Sequence, residues 1–89
     1  MDDAGEGAGH GRDAASNAGH ALLAAGRAAE AKERFRGALA VHPDDPQARF
    51  GFVLALFRTG EVDAARRELL ALRAADPELA ALAEREIPP

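Results

Sequence analysis

The sequence predicts an all-α fold made of antiparallel helix–turn–helix repeats, about five helices in all. Three observations carry the prediction. The chain echoes itself at one fixed spacing: Gly26 matches Gly60, Ala31 matches Ala65, and Pro43 matches Pro77. Leu22 and Leu56, Phe35 and Leu69, and Ala38 and Leu72 share positions in the same register. A fixed period of roughly 34 residues marks stacked units, each burying its apolar face on its neighbours. Alanine, the best helix former, supplies 23 of the 89 residues. Large apolar residues are correspondingly few, so the helices must approach one another on small side chains. Finally, the apolar stripes recur at helical spacing and stop at glycine or proline.

The elements follow in order. Residues 1–12 place Gly5, Gly7, Gly9 and Gly11 among polar or small neighbours, the composition of a flexible leader. A phosphate loop would need a preceding strand and a following Lys-Ser/Thr pair, and neither is present. A first helix is expected from about Asp13 to Ala25, ended by Gly26. The second runs from about Arg27 to His42, with Ala28, Ala31, Phe35, Ala38 and His42 on one stripe. Pro43 closes it, because proline disfavours helix in the residue before it. Asp45-Pro46 is an N-cap carboxylate followed by proline at the first helical position, which starts a third helix that stops at Thr59-Gly60. The fourth, about Glu61 to Ala75, turns Val62, Ala65, Leu69 and Leu72 inward. Asp76-Pro77 repeats the start signal, and a short fifth helix carries Leu79, Leu82 and Ala83 inward before Ile87-Pro88-Pro89 halts it. Glu30 stands one helical turn before Arg34, and Asp63 stands likewise before Arg67, supportive i, i+4 pairs on solvent faces.

The chain thus divides into a leader (1–12), a first repeat (13–45), a second repeat (46–77) and a closing helix with its tail (78–89). Bulk properties narrow the function classes. There is no cysteine, which excludes disulfides, zinc–thiolate sites and thiol nucleophiles. No apolar run approaches the roughly 18 residues needed to span a bilayer. Met1-Asp2-Asp3 opens without the basic and apolar regions of a secretory signal, so a soluble cytoplasmic protein is expected. Of the net charge of −4, Asp2, Asp3, Glu6 and Asp13 against Arg12 account for −3. A nearly neutral body behind an acidic leader does not predict nucleic-acid binding, which needs a basic face.

On these residues the chain resembles the tetratricopeptide repeat, a helix–turn–helix unit of about 34 residues. In the first repeat Gly19 stands at the family's small packing position, Leu22 at the next large apolar one, and Gly26 at the turn. Ala31 is the small contact of the second helix, Phe35 and Ala38 complete its inner face, and Pro43 closes the unit. Val53, Leu56, Gly60, Ala65, Leu69, Leu72 and Pro77 take the same roles in the second repeat. Ala15 and Arg49 depart from the large apolar residue usual near the start of the first helix, and Val53 departs from the usual small residue. The resemblance covers about residues 13–77 and implies a right-handed superhelix, with the fifth helix as its capping helix.

It further implies a non-catalytic protein–protein interaction module, a scaffold or adaptor. In such folds the first helix of each repeat lines a concave groove that takes a partner peptide or helix. The groove positions of repeat one are Asp13, Ser16, Asn17, His20, Leu23 and Ala24, and those of repeat two are Gln47, Phe50, Gly51, Leu54, Phe57 and Arg58. Phe50, Leu54 and Phe57 follow i, i+4, i+7 on one face, while Ala48, Phe52, Val53, Ala55 and Leu56 make the opposite face apolar as well. A helix apolar on both sides needs an occupant on both. Beyond its own repeat, the occupant is a partner segment, a second copy of the chain, the leader, or the fifth helix; simple core packing of the phenylalanines is the plainer reading. The partner-binding set is therefore Asn17, His20, Leu23, Phe50, Leu54, Phe57 and Arg58, for an apolar or mixed segment of protein, with no nucleic acid and no membrane. The alternative is a self-assembling protein whose Phe50, Leu54 and Phe57 face forms a homodimer or larger homo-oligomer; two repeats are few for a solenoid core, which favours it. Arg49 and Arg58 flank this face as candidate partners for carboxylates. The groove lysines that family members use for acidic tails are missing.

No enzyme reading competes. Ser16 and His20 share a helix face as a nominal nucleophile and base, without an oxyanion hole. His10, His20 and His42 lack metal-ligand spacing, and no cofactor motif is present.

Overall fold

The computed structural model describes residues 16–87, and the helical prediction holds throughout them. Helix α1 is described over residues 16–24. It is followed by α2 (Ala28–Val41), α3 (Pro46–Arg58), α4 (Val62–Ala75) and α5 (Pro77–Glu86). Helix α3 is the hub, packing against α2, α4 and α5, while α4 also packs against α5. The expected leader and Asp13 lie outside the described residues.

The sequence echo reappears in the backbone hydrogen bonds. The Arg27 N–H donates to the Leu22 carbonyl at 2.8 Å, and the Glu61 N–H donates to Leu56 at 2.9 Å. Gly26 donates to Leu23 and Gly60 to Phe57, both at 3.0 Å. Gly26 and Gly60 hold φ of 80° and 86°, the left-handed conformation that ends a helix and that glycine adopts without steric cost. The two cap-plus-proline signals work as expected. The Asp45 carboxylate accepts from the Gln47 N–H at 3.1 Å and that of Asp76 from the Leu79 N–H at 3.0 Å, with proline at the first helical position in each case.

The core is built around Phe35, which is fully buried on α2. A Cβ placed on Gly19 would lie 2.6 Å from its ring, and one on Gly51 would lie closer still. The ring is therefore clamped between the glycines of α1 and α3, and it sits where two first helices need their closest approach. This corrects the expectation for Gly51, which faces Phe35 and not an open groove. The second repeat solves the same problem with different volumes. The mate of Gly19 is Val53 and the mate of Phe35 is Leu69, so a larger residue on the first helix is matched by a smaller one on the second; both are buried.

The fifth helix differs from its predicted stripe. Leu82 is 46% exposed, and the inward places fall to Ala80 and Ala83. Alanine at both positions permits the close approach of α5 to α3 and α4. Charge pairing also departs from i, i+4: Glu30 pairs back to Arg27, and Glu33 pairs with Arg36. These are exposed pairs of small energetic weight.

Candidate partner-binding site

The predicted face is assembled by α1 and α3, with α5 at one side. His20 and Phe50 bring the two first helices together, with ring centroids 6.2 Å apart. His20 also meets Phe35 edge-on, at 4.9 Å between centroids. Phe50 and Phe57 are half-buried, each packed on the core with part of the ring uncovered, and Asn17 is exposed. Arg58 lies at the far end, 44% exposed, donating to the Leu23 carbonyl at 3.4 Å and pairing at 3.9 Å with Glu86 of α5. It thus ties α1, α3 and α5 together at the end of the face.

Leu23 and Leu54 are different. They are 6% and 7% exposed and belong to the buried core, so the expectation that they offer groove surface is corrected. Within the Phe50–Leu54–Phe57 row the i+4 member is thus closed in, while the two rings on either side stay half-buried. Arg49 is corrected too. Its guanidinium pairs with Glu68 of α4 and donates to the Pro43 carbonyl at 2.8 Å, so it clamps α3 to α4 and the preceding turn.

The electrostatics of the face centre on His20. Burial holds its pKa below the ordinary 6.5; the Gln47 backbone and the Asp45 carboxylate work in the opposite direction without cancelling it. Its Nε2 and the Ser16 Oγ are both buried and lack hydrogen-bond partners, so the two side chains do not form a nucleophile–base hydrogen bond. Among the described residues no group of three or more His, Asp or Glu side chains is placed to hold a metal ion, and no helix is long and apolar enough to cross a membrane.

Sequence reasoning missed Glu68 and Glu86, which engage the two arginines of α3. Each lies on another helix, several turns away along the chain from its partner, a separation that carries no helical signal.

A family model described as tetratricopeptide repeat matches residues 22–85. No curated protein and no solved structure matches the chain significantly.

Proposed function

Because the chain belongs to the tetratricopeptide repeat family, whose members are generally protein–protein interaction modules, we propose that it binds a peptide or helix of a protein partner along the face of α1 and α3. Asn17, His20, Phe50, Phe57 and Arg58 supply the contact surface, and Leu23 and Leu54 support it from beneath. The observation that carries this reading is that Phe50 and Phe57 stay half-uncovered on one face of α3, whereas the third half-buried ring of that helix, Phe52 on the opposite face, lies under the Arg36 guanidinium. Aromatic side chains partly sunk in a packed surface are the residues through which interfaces gain most of their affinity. The mixture of rings with Asn17 and Arg58 suits an apolar segment with polar or acidic flanks. The role is non-catalytic, in a scaffold or adaptor.

The test is selection of binders from a displayed peptide library on the wild-type chain, followed by titration against Phe57→Asp and Asn17→Ala. Selected peptides should lose at least about tenfold in affinity on Phe57→Asp, the equivalent of about 1.4 kcal/mol, while circular dichroism shows an intact fold. Peptides indifferent to both changes would sink the reading. Light scattering against concentration decides the homo-oligomer alternative: a monomer at high concentration removes it.

A further inference from the structure

We propose that occupancy of the α1–α3 face is coupled to the protonation of His20: the face takes its apolar partner segment with the imidazole neutral and releases it as the medium acidifies. This coupling rests on the reading that the face binds a partner segment, and it adds the condition under which the segment is held.

His20 stands where α1 meets α3. Its ring lies edge-on to Phe35 of α2 at 4.9 Å, and beside Phe50 of α3 at 6.2 Å, between centroids. Nε2 is buried and has no hydrogen-bond partner among the described residues. The imidazole as a whole is only half-buried, and so is Phe50. An imidazolium donates from both ring nitrogens. Its Nε2–H would be left between two phenyl rings without a described acceptor, which is costly because a buried charge loses hydration that no hydrogen bond replaces. One described carboxylate opposes this, Asp45 in the turn that starts α3, together with the Gln47 backbone. Neither cancels the burial, which holds the pKa below 6.5. The other neighbours are uncharged: α2 presents the Phe35 ring, α3 the Phe50 ring, and α1 itself the Ser16 hydroxyl one turn earlier.

A segment laid over Phe50 takes water away from the part of the His20 ring that is still exposed. Further burial disfavours the charged form, so the occupied chain keeps the imidazole neutral to lower pH than the free chain does. By linkage, a protonated free chain must give up its proton to bind, and affinity falls as pH drops below 6.5 and through the His20 midpoint. The placement of charge favours the same sign. Arg58, the cation of the face, lies at its far end beside Leu23 and α5. An acidic flank of the partner is drawn there, away from His20.

The experiment takes peptides selected on the wild-type full chain at neutral pH. They are titrated by fluorescence anisotropy from mildly alkaline pH downward, as far as circular dichroism shows the chain folded. In parallel, NMR follows the His20 imidazole in the free and the peptide-saturated chain. The midpoint should be lower in the complex by at least about 0.5 pH, and the dissociation constant should rise at least about threefold across it. His20→Asn should abolish that rise, whereas His10→Gln and His42→Gln should leave it in place. Were His20→Asn to unfold, the two midpoints of the wild-type chain still decide. Equal midpoints, a midpoint raised by binding, or an imidazole that stays neutral until the chain unfolds would each overturn the coupling and leave the binding face standing. Failure to select any peptide at neutral pH would instead sink the binding face, and the coupling with it.

Discussion

At the scale of single residues, Phe35 and the two glycines around it set the spacing of the whole stack. Alanine is favoured over glycine in a helix interior by roughly 0.5–1 kcal/mol, so propensity alone would make Gly51→Ala stabilising. Packing reverses the sign. The added methyl would collide with a fully buried ring held from two sides, and overpacking of this kind costs about 1–3 kcal/mol. Gly51→Ala is therefore expected to lower stability in urea unfolding, by more than Gly19→Ala does. In a Phe35→Leu background the penalty should shrink, because the colliding atoms are gone; equal penalties in both backgrounds would refute the clamp. His20, beside the same ring, gives a pH prediction. Burial depresses its pKa below 6.5, so the folded state prefers the neutral imidazole. The unfolded chain binds the extra proton first, and stability rises with pH in that window. The contribution is complete above about 6.5, declines as pH falls below it, and levels off below the folded pKa. The melting temperature should fall between pH 7 and pH 5, and a His20→Asn variant should show a shallower decline once the other histidines are accounted for.

At the scale of elements, the joints hold the fold's instructions. Gly60 adopts φ of 86° with open space around its Cα, so Gly60→Ala meets no neighbour and its whole cost is backbone strain. Moving an L-residue into that region costs roughly 1–2 kcal/mol, a loss that differential scanning calorimetry would register as a lower melting temperature; an unchanged melting temperature would show that the turn relaxes. The joints were also what the sequence displayed most clearly, and the reason is physical. Asp45-Pro46, Asp76-Pro77 and the two turn glycines act through their own backbone or that of near neighbours in the chain. Inter-helix facts act over longer distances and leave no periodic trace. Arg49 reads as a free cation until Glu68 is brought beside it. Leu54 reads as groove because α3 is apolar on both faces, and pattern cannot say which one a third helix covers. On α5, hydrophobicity favours Leu82 for the inside, whereas the short distance to α3 and α4 favours Ala80. Size, which a periodic pattern ignores, decided that position.

At the scale of the molecule, α5 is the element on which the architecture turns. In a linear stack each unit contacts only its neighbours, and stability is close to a sum of unit and interface terms. Helix α5 is the last term of that sum: it packs against α3 and α4, the two helices of the second repeat, and is tied to each by charge, Arg58 to Glu86 and Arg73 to Glu84. Those ion pairs are at least partly exposed and contribute little by themselves. Apolar burial matters more: Ala80 and Ala83 are closed into the core, and Leu79 and Ile87 pack against it. A chain ending at Asp76 would leave α3 and α4 without the cover that α5 gives them. The expected result in urea is a lower midpoint together with a smaller slope, since the slope follows the surface exposed on unfolding. Binding of a hydrophobic dye by the folded shortened chain should rise in parallel. If α5 were instead a loosely attached appendage, midpoint and slope would match those of the full chain.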